Sequence, residues 1–143
     1  MSEKMTKKRI ALEVALWLVT IFLALVCLRS GLTKLPAGSF WARDFRRWHY
    51  PGWSRYAVAA AELAACALLL VPRLAAAGAA LFALVMLGAM FTHATHNEVS
   101  RLPFNFLLFT LSLLVLFARG SQLLKSRGRG RGKAGADEAS ARV

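Results

Sequence analysis

The sequence predicts an all-α fold: an integral membrane four-helix bundle with an interfacial amphipathic helix between spans one and two. Three observations lead there. The 143 residues are 57% hydrophobic with a mean hydropathy of +0.49, and the apolar residues fall into long runs instead of the interrupted patches of a soluble domain. A bilayer core of ~30 Å takes about 20 apolar helical residues, and four such runs with short connections use most of the chain. The net charge of +12, from 19 Lys and Arg against 7 Asp and Glu, gathers at span ends and tails. Charge so placed serves topology and contact with anionic lipid, and argues against nucleic acid as a partner.

Residues 1–9 form a basic N-terminal segment, residues 10–118 a transmembrane domain and residues 119–143 a basic tail. The first span covers residues 10–28 and is apolar except for Glu13 and Thr20. No A-x-A-like cleavage site follows it, and Val26 before Cys27 does not suit a lipoprotein site, so the span is expected to remain uncleaved. Cys27 and Cys66 form no C-x-x-C pair and lie in different spans. They read as small core hydrophobes.

The connection over residues 29–55 has a pattern of its own. Ser39 is placed to cap a short helix that ends before Pro51. Trp41, Phe45 and Trp48 recur at i, i+4, i+7, with Arg43, Arg46 and Arg47 on other faces. That spacing predicts a helix over 40–48 lying in the membrane interface, aromatics toward lipid and arginines toward headgroups. Trp53 and Tyr56 continue an aromatic belt.

The second span, residues 56–71, is Ala-rich and carries Glu62; Pro72 and Arg73 make a tight connection. The third, residues 74–92, contains Gly78 and Gly88 among alanines, small residues that let helices approach closely in lipid. Residues 93–102 are polar, and Pro103 opens a fourth span over 103–117. From Arg119 the Gly/Arg run predicts a disordered, solvated tail. Lys4, Lys7, Lys8, Arg9, Arg73 and the tail's basic residues fall on one side of such a four-span chain. Arg29, Lys34, Arg43, Arg46, Arg47, Arg55 and Arg101 fall on the other. The first set is larger, so the positive-inside rule places both termini in the cytoplasm.

Four alternating spans also bring polar residues together. Arg29 lies at the end of span one, Glu62 about two turns into span two, His93 at the end of span three and Asn105 at the start of span four. All belong to one slab on the outer side. An ionised carboxylate inside a membrane costs from ~2.5 kcal/mol upward and needs a partner, which Arg29 or Lys34 supplies. Two readings stay open: a polar pocket for a small polar or quinone-like ligand, and an ion pair that locks helices one and two. His93 and His96, at i, i+3 with Glu98 and His49 nearby, are too few fixed ligands for a metal site, so none is assigned. No nucleophile motif, phosphate loop or zinc signature occurs, and the catalytic residues are unknown.

The order of these pieces resembles the DoxX and DoxX-like family of small four-helix bacterial membrane proteins. The resemblance is carried by Arg29-Ser30-Gly31-Leu32-Thr33-Lys34-Leu35, residues 40–45, Pro51, Ala60-Ala61-Glu62-Leu63, Arg73-Leu74-Ala75-Ala76 and Met90-Phe91-Thr92-His93. It covers roughly residues 10–118. It implies a multi-pass protein of the bacterial inner membrane and a polar set of Arg29, Lys34, Glu62 and His93. It also implies a link to terminal quinol oxidase, to thiosulfate:quinone oxidoreduction and to oxidoreductase complexes handling thiol stress. On that basis the chain is expected to be an accessory subunit among oxidoreductase partner subunits, not an enzyme alone. Quinone is the expected ligand, with no covalently bound cofactor. The alternatives are a small-molecule carrier, for which a homo-oligomer would supply the path, and a non-catalytic assembly or scaffold protein. Short spans without inverted repeats or broken helices speak against the carrier.

Overall fold

The computed structural model describes the backbone of residues 2–140 and the side chains of residues 6–121. These residues are helical without any strand. The five α-helices are α1 (Ser2–Lys34), α2 (Phe40–Arg47), α3 (Ser54–Leu70), α4 (Ala75–Thr95) and α5 (Leu102–Ser140), and a 3-10 turn, Val99–Arg101, leads into α5. Among the described residues, three stretches are long and apolar enough to cross a membrane: Thr6–Lys34, Ala75–Thr95 and Val99–Ser121. The second predicted span is shorter. At 17 residues, α3 reaches about 25 Å at ~1.5 Å per residue, a little less than a bilayer core of ~30 Å.

α3 lies between α1 and α4, α4 packs along α5, and α1 meets α5 over a narrower seam. Leu23, Leu69, Phe82, Leu108 and Val115 fill the centre and are almost wholly buried. Gly78 sets the α3–α4 spacing, because a Cβ there would come within 2.7 Å of the Leu69 backbone nitrogen and 3.0 Å of the Ala65 carbonyl oxygen. Leu12, Leu18, Leu84, Phe91 and Phe117 point outward and are exposed, an apolar exterior suited to lipid. Buried hydroxyls in these helices bond to their own backbone: Thr20 to the Leu16 carbonyl at 2.7 Å and Ser112 to the Leu108 carbonyl at 2.7 Å. Polar groups in lipid are satisfied in this internal way.

Two sequence expectations change. α1 does not stop at Leu28; it continues through Lys34, so Arg29-Ser30-Gly31 belongs to its last turns. Glu13 and Arg119 are ion-paired, with Arg119 buried and stacked 4.6 Å from the Trp17 ring centroid. Arg119 therefore fastens the middle of α5 to the N-terminal half of α1. Beyond it the helix continues to Ser140; residues 141–143 lie outside the described residues.

Candidate functional site

The site begins with α2. The Ser39 side chain accepts a hydrogen bond from the Ala42 amide at 3.2 Å, an N-cap. Its other end closes in a Schellman motif: the Tyr50 amide donates to the Phe45 carbonyl at 3.0 Å and the His49 amide to the Arg46 carbonyl at 3.0 Å. His49 takes the required left-handed conformation, φ 58°. The turn folds Tyr50 back onto Phe45, ring centroids 6.0 Å apart. Phe45 and Trp48 are buried against the rest of the protein. This corrects the expectation that the aromatic face lies in lipid: it covers one end of the helical core.

Beneath α2 lies a buried ion pair. The Lys34 ammonium donates to Glu62 Oε1 at 3.0 Å and Oε2 at 2.8 Å and to Ser30 Oγ at 2.6 Å. Ser30 Oγ donates to Glu62 Oε1 at 2.9 Å. Ser30 and Lys34 share a helix face at i, i+4. Gly31 lets α1 come close enough to α3 for the contact, since a Cβ there would fall 2.8 Å from Leu63 Cγ. The two charged side chains are 4% and 2% exposed, and the ammonium also lies 4.1 Å from the Trp41 ring centroid. Arg55, at the start of α3, donates to the Lys34 carbonyl at 2.8 Å and the Pro36 carbonyl at 2.6 Å. It thereby satisfies the Lys34 carbonyl, an end group that helix α1 cannot pair itself.

A second network holds the loop after α4. Asn97, φ 57°, ends α4 in the same left-handed way as His49, and the Glu98 amide donates to the His93 carbonyl at 2.9 Å. Glu98 is thereby turned back toward the site. Its carboxylate meets His93 Nδ1 at 2.8 Å and Trp48 Nε1 at 3.3 Å. It also pairs with Arg101 at 3.4 Å and with Arg47. Arg101 reaches Asp44 at 2.9 Å. Desolvation alone would raise the Glu98 pKa. The His93 hydrogen bond outweighs it together with Arg101, the Trp48 N–H and Arg47, and holds the carboxyl below its ordinary value.

These elements line a half-open cavity of about 1110 Å³. Arg29, Lys34, Glu62, His93 and Asn105 all border it, between aromatic walls from Trp41, Phe45 and Trp48 and an apolar wall from Phe82, Met86 and Leu108. Of the two basic partners the sequence offered Glu62, Lys34 makes the contact; Arg29 is exposed at the cavity's edge. Asn105 is 9% exposed, and its amide nitrogen has no hydrogen-bond partner among the described residues. The DoxX-like family model matches residues 18–115, a stretch that holds every group of the cavity just described.

The chain belongs to the DoxX-like family. It is a membrane protein of that family, and its R-S-G-L-T-K segment is the part of α1 that carries Ser30 and Lys34 to Glu62. No curated protein and no solved structure matches it. His96 is exposed and bonds locally to the Thr92 carbonyl at 2.8 Å, and His49 is exposed at the end of α2. Neither joins His93, and among the described residues no group of His, Cys, Asp and Glu is arranged to hold a metal. Sequence reasoning missed Ser30, Arg55 and Asp44, and it placed Glu98 beside His93 only as a weak metal candidate. For Ser30 a signal was present in its i, i+4 spacing from Lys34. For the rest, the contacts that tie them into the site include Arg55–Pro36, Trp48–Glu98 and Asp44–Arg101, which are 19, 50 and 57 positions apart in sequence, and no local pattern reveals those; only Glu98–His93, five positions apart, is local.

Proposed function

We propose that this DoxX-like protein is a four-span protein of the bacterial inner membrane, with α3 as a short fourth span and both termini in the cytoplasm. It takes a small quinone-like molecule into its cavity and serves as an accessory subunit of a membrane oxidoreductase complex. The observation that carries this reading is the cavity of about 1110 Å³, apolar and aromatic over most of its wall with a few polar groups converging on it. Ligand sites generally have that make-up and a volume of roughly 300–1,000 Å³. A ring with an alkyl tail fits the aromatic walls, and a lipid-soluble ligand can reach such a cavity from the bilayer. Family membership supports the redox context by resemblance alone, since a fold carries no activity by itself.

The test is purification of the full chain from its native membrane in mild detergent. Co-purifying proteins are identified and extracted quinone is measured against bulk lipid. Enrichment of quinone together with a cofactor-bearing redox protein is the expected outcome. Quinone at the bulk-lipid ratio, with no redox protein retained, would refute the reading.

A further inference from the structure

We infer that the side-chain amide of Asn105 is the hydrogen-bonding anchor of the cavity, and that it selects a neutral ring compound bearing carbonyl or hydroxyl oxygen over an anion. This rests on the reading of the cavity as a ligand site. The cavity's charged groups are already engaged. An ammonium has three N–H donors, and those of Lys34 meet both Glu62 oxygens and Ser30 Oγ. Arg101 is held by Asp44 and Glu98. Arg29 is exposed at the edge, where water or headgroups meet its charge. An anion entering the cavity would gain no free buried cation and would approach the Glu62 carboxylate.

Asn105 differs from all of these. It is 9% exposed, it borders the cavity, and its Nδ2 is buried without a hydrogen-bond partner. Native proteins rarely leave a buried polar group unpaired, and an exception calls for an explanation such as a missing ligand. An amide carries both donor and acceptor. Rotation about its Cβ–Cγ bond turns either one to the ligand, so a carbonyl and the hydroxyl formed by its reduction are both accommodated. Asn105 lies one turn before Leu108 on α5 and shares the cavity with Met86 on α4 and the α2 aromatics. A bound ring would have apolar contacts from Met86, Leu108 and the α2 aromatics and a polar contact to Asn105 at its edge.

The experiment is isothermal titration of the purified full chain in detergent with three probes of equal alkyl length: a 1,4-benzoquinone, the alkylbenzene without oxygens and the alkylbenzoate. Wild type is expected to bind the quinone about tenfold more tightly than the alkylbenzene, the worth of one hydrogen bond. Asn105→Leu is expected to lose about that factor for the quinone and keep its alkylbenzene affinity. Its melting temperature should be equal or higher, because an unpaired buried amide has been removed. Asn105→Ala gives the same comparison should leucine not fit. Unchanged quinone affinity in both variants would overturn the anchor, as would tighter binding of the benzoate by wild type. Equal binding of quinone and alkylbenzene by wild type overturns the anchor and leaves the cavity reading standing. Binding of neither overturns both.

Discussion

Glu62 is held by three hydrogen bonds from two side chains of α1, and both partners sit one turn apart on that helix. In a medium that solvates ions poorly, the pair is stable only while complete; removal of one member of a buried pair costs about 3–5 kcal/mol. Glu62→Gln or Lys34→Met alone is therefore expected to lower stability by about that amount in detergent thermal unfolding. Lys34→Met with Glu62→Leu together should recover most of the loss. A double variant as unstable as the sum of the singles would show that the two residues act independently. Glu98 behaves differently because it lies outside the spans. Its folded pKa is held below the ordinary carboxylate value, first against desolvation and then by His93, Arg101, Trp48 and Arg47. A depressed acid contributes stability that is fully present above its unfolded pKa of ~4.3 and is lost as pH falls through the lower folded value. The melting-temperature gap between wild type and Glu98→Gln should thus be constant above about pH 5 and shrink below about pH 4. A gap independent of pH would remove Glu98 as the ionised centre of this network.

At the scale of elements, the glycines separate close approach from mere tolerance. A methyl at Gly78 would meet backbone atoms of α3 at 2.7 and 3.0 Å, whereas one at Gly88 meets nothing within 4 Å. Backbone cannot step aside as a side-chain tip can, so Gly78→Ala is expected to part α3 from α4 and cost about 1–3 kcal/mol. Gly88→Ala is expected to stabilise by about 0.5–1 kcal/mol through helix propensity. Both are read from detergent melting curves, and equal effects would contradict the packing. The sequence showed small residues in the third span but not which of them touched a neighbour. α2 is a similar case. Ser39 and the i, i+4, i+7 aromatics revealed its position and length, because capping and periodicity are local. The direction of its apolar face was not local: lipid and a neighbouring protein surface attract Phe45 and Trp48 alike. What decided it was the turn at His49 and Tyr50 together with the Trp48–Glu98 bond.

Across the whole molecule, long-range contacts fix the direction of every long helix. The Glu13–Arg119 pair lies toward one end of the bundle, and α1 runs from it to Lys34 beside the cavity. α3 starts at the cavity end, where Arg55 binds the Lys34 carbonyl, and runs away from it; α4 returns to place His93 there, and α5 leaves through Asn105 toward Arg119. Alternation was legible in the sequence because it needs only a count of apolar runs, and it grouped Glu62, His93 and Asn105 before any contact was known. The length of α3 was legible as well: the apolar run of residues 56–71, bounded by Arg55 and by Pro72-Arg73, matches Ser54–Leu70 to within two residues. A helix of about 25 Å in a ~30 Å core costs a fraction of a kcal/mol per ångström of mismatch. Local thinning of the bilayer and the long side chain of Arg73 reaching toward headgroups both reduce that cost. α3 is also covered by α1 and α4 on its two sides, so part of its surface never meets lipid. A crossing by α3 is therefore expected, and reporter fusions test it. Fusions after Arg73 and at the C-terminus should report cytoplasm, and fusions at Gly38 and Val99 the opposite side. If the Arg73 fusion reports the same side as Gly38, α3 does not cross and the chain has three spans. An odd number of spans would then place the tail opposite the N-terminus, against the proposed orientation.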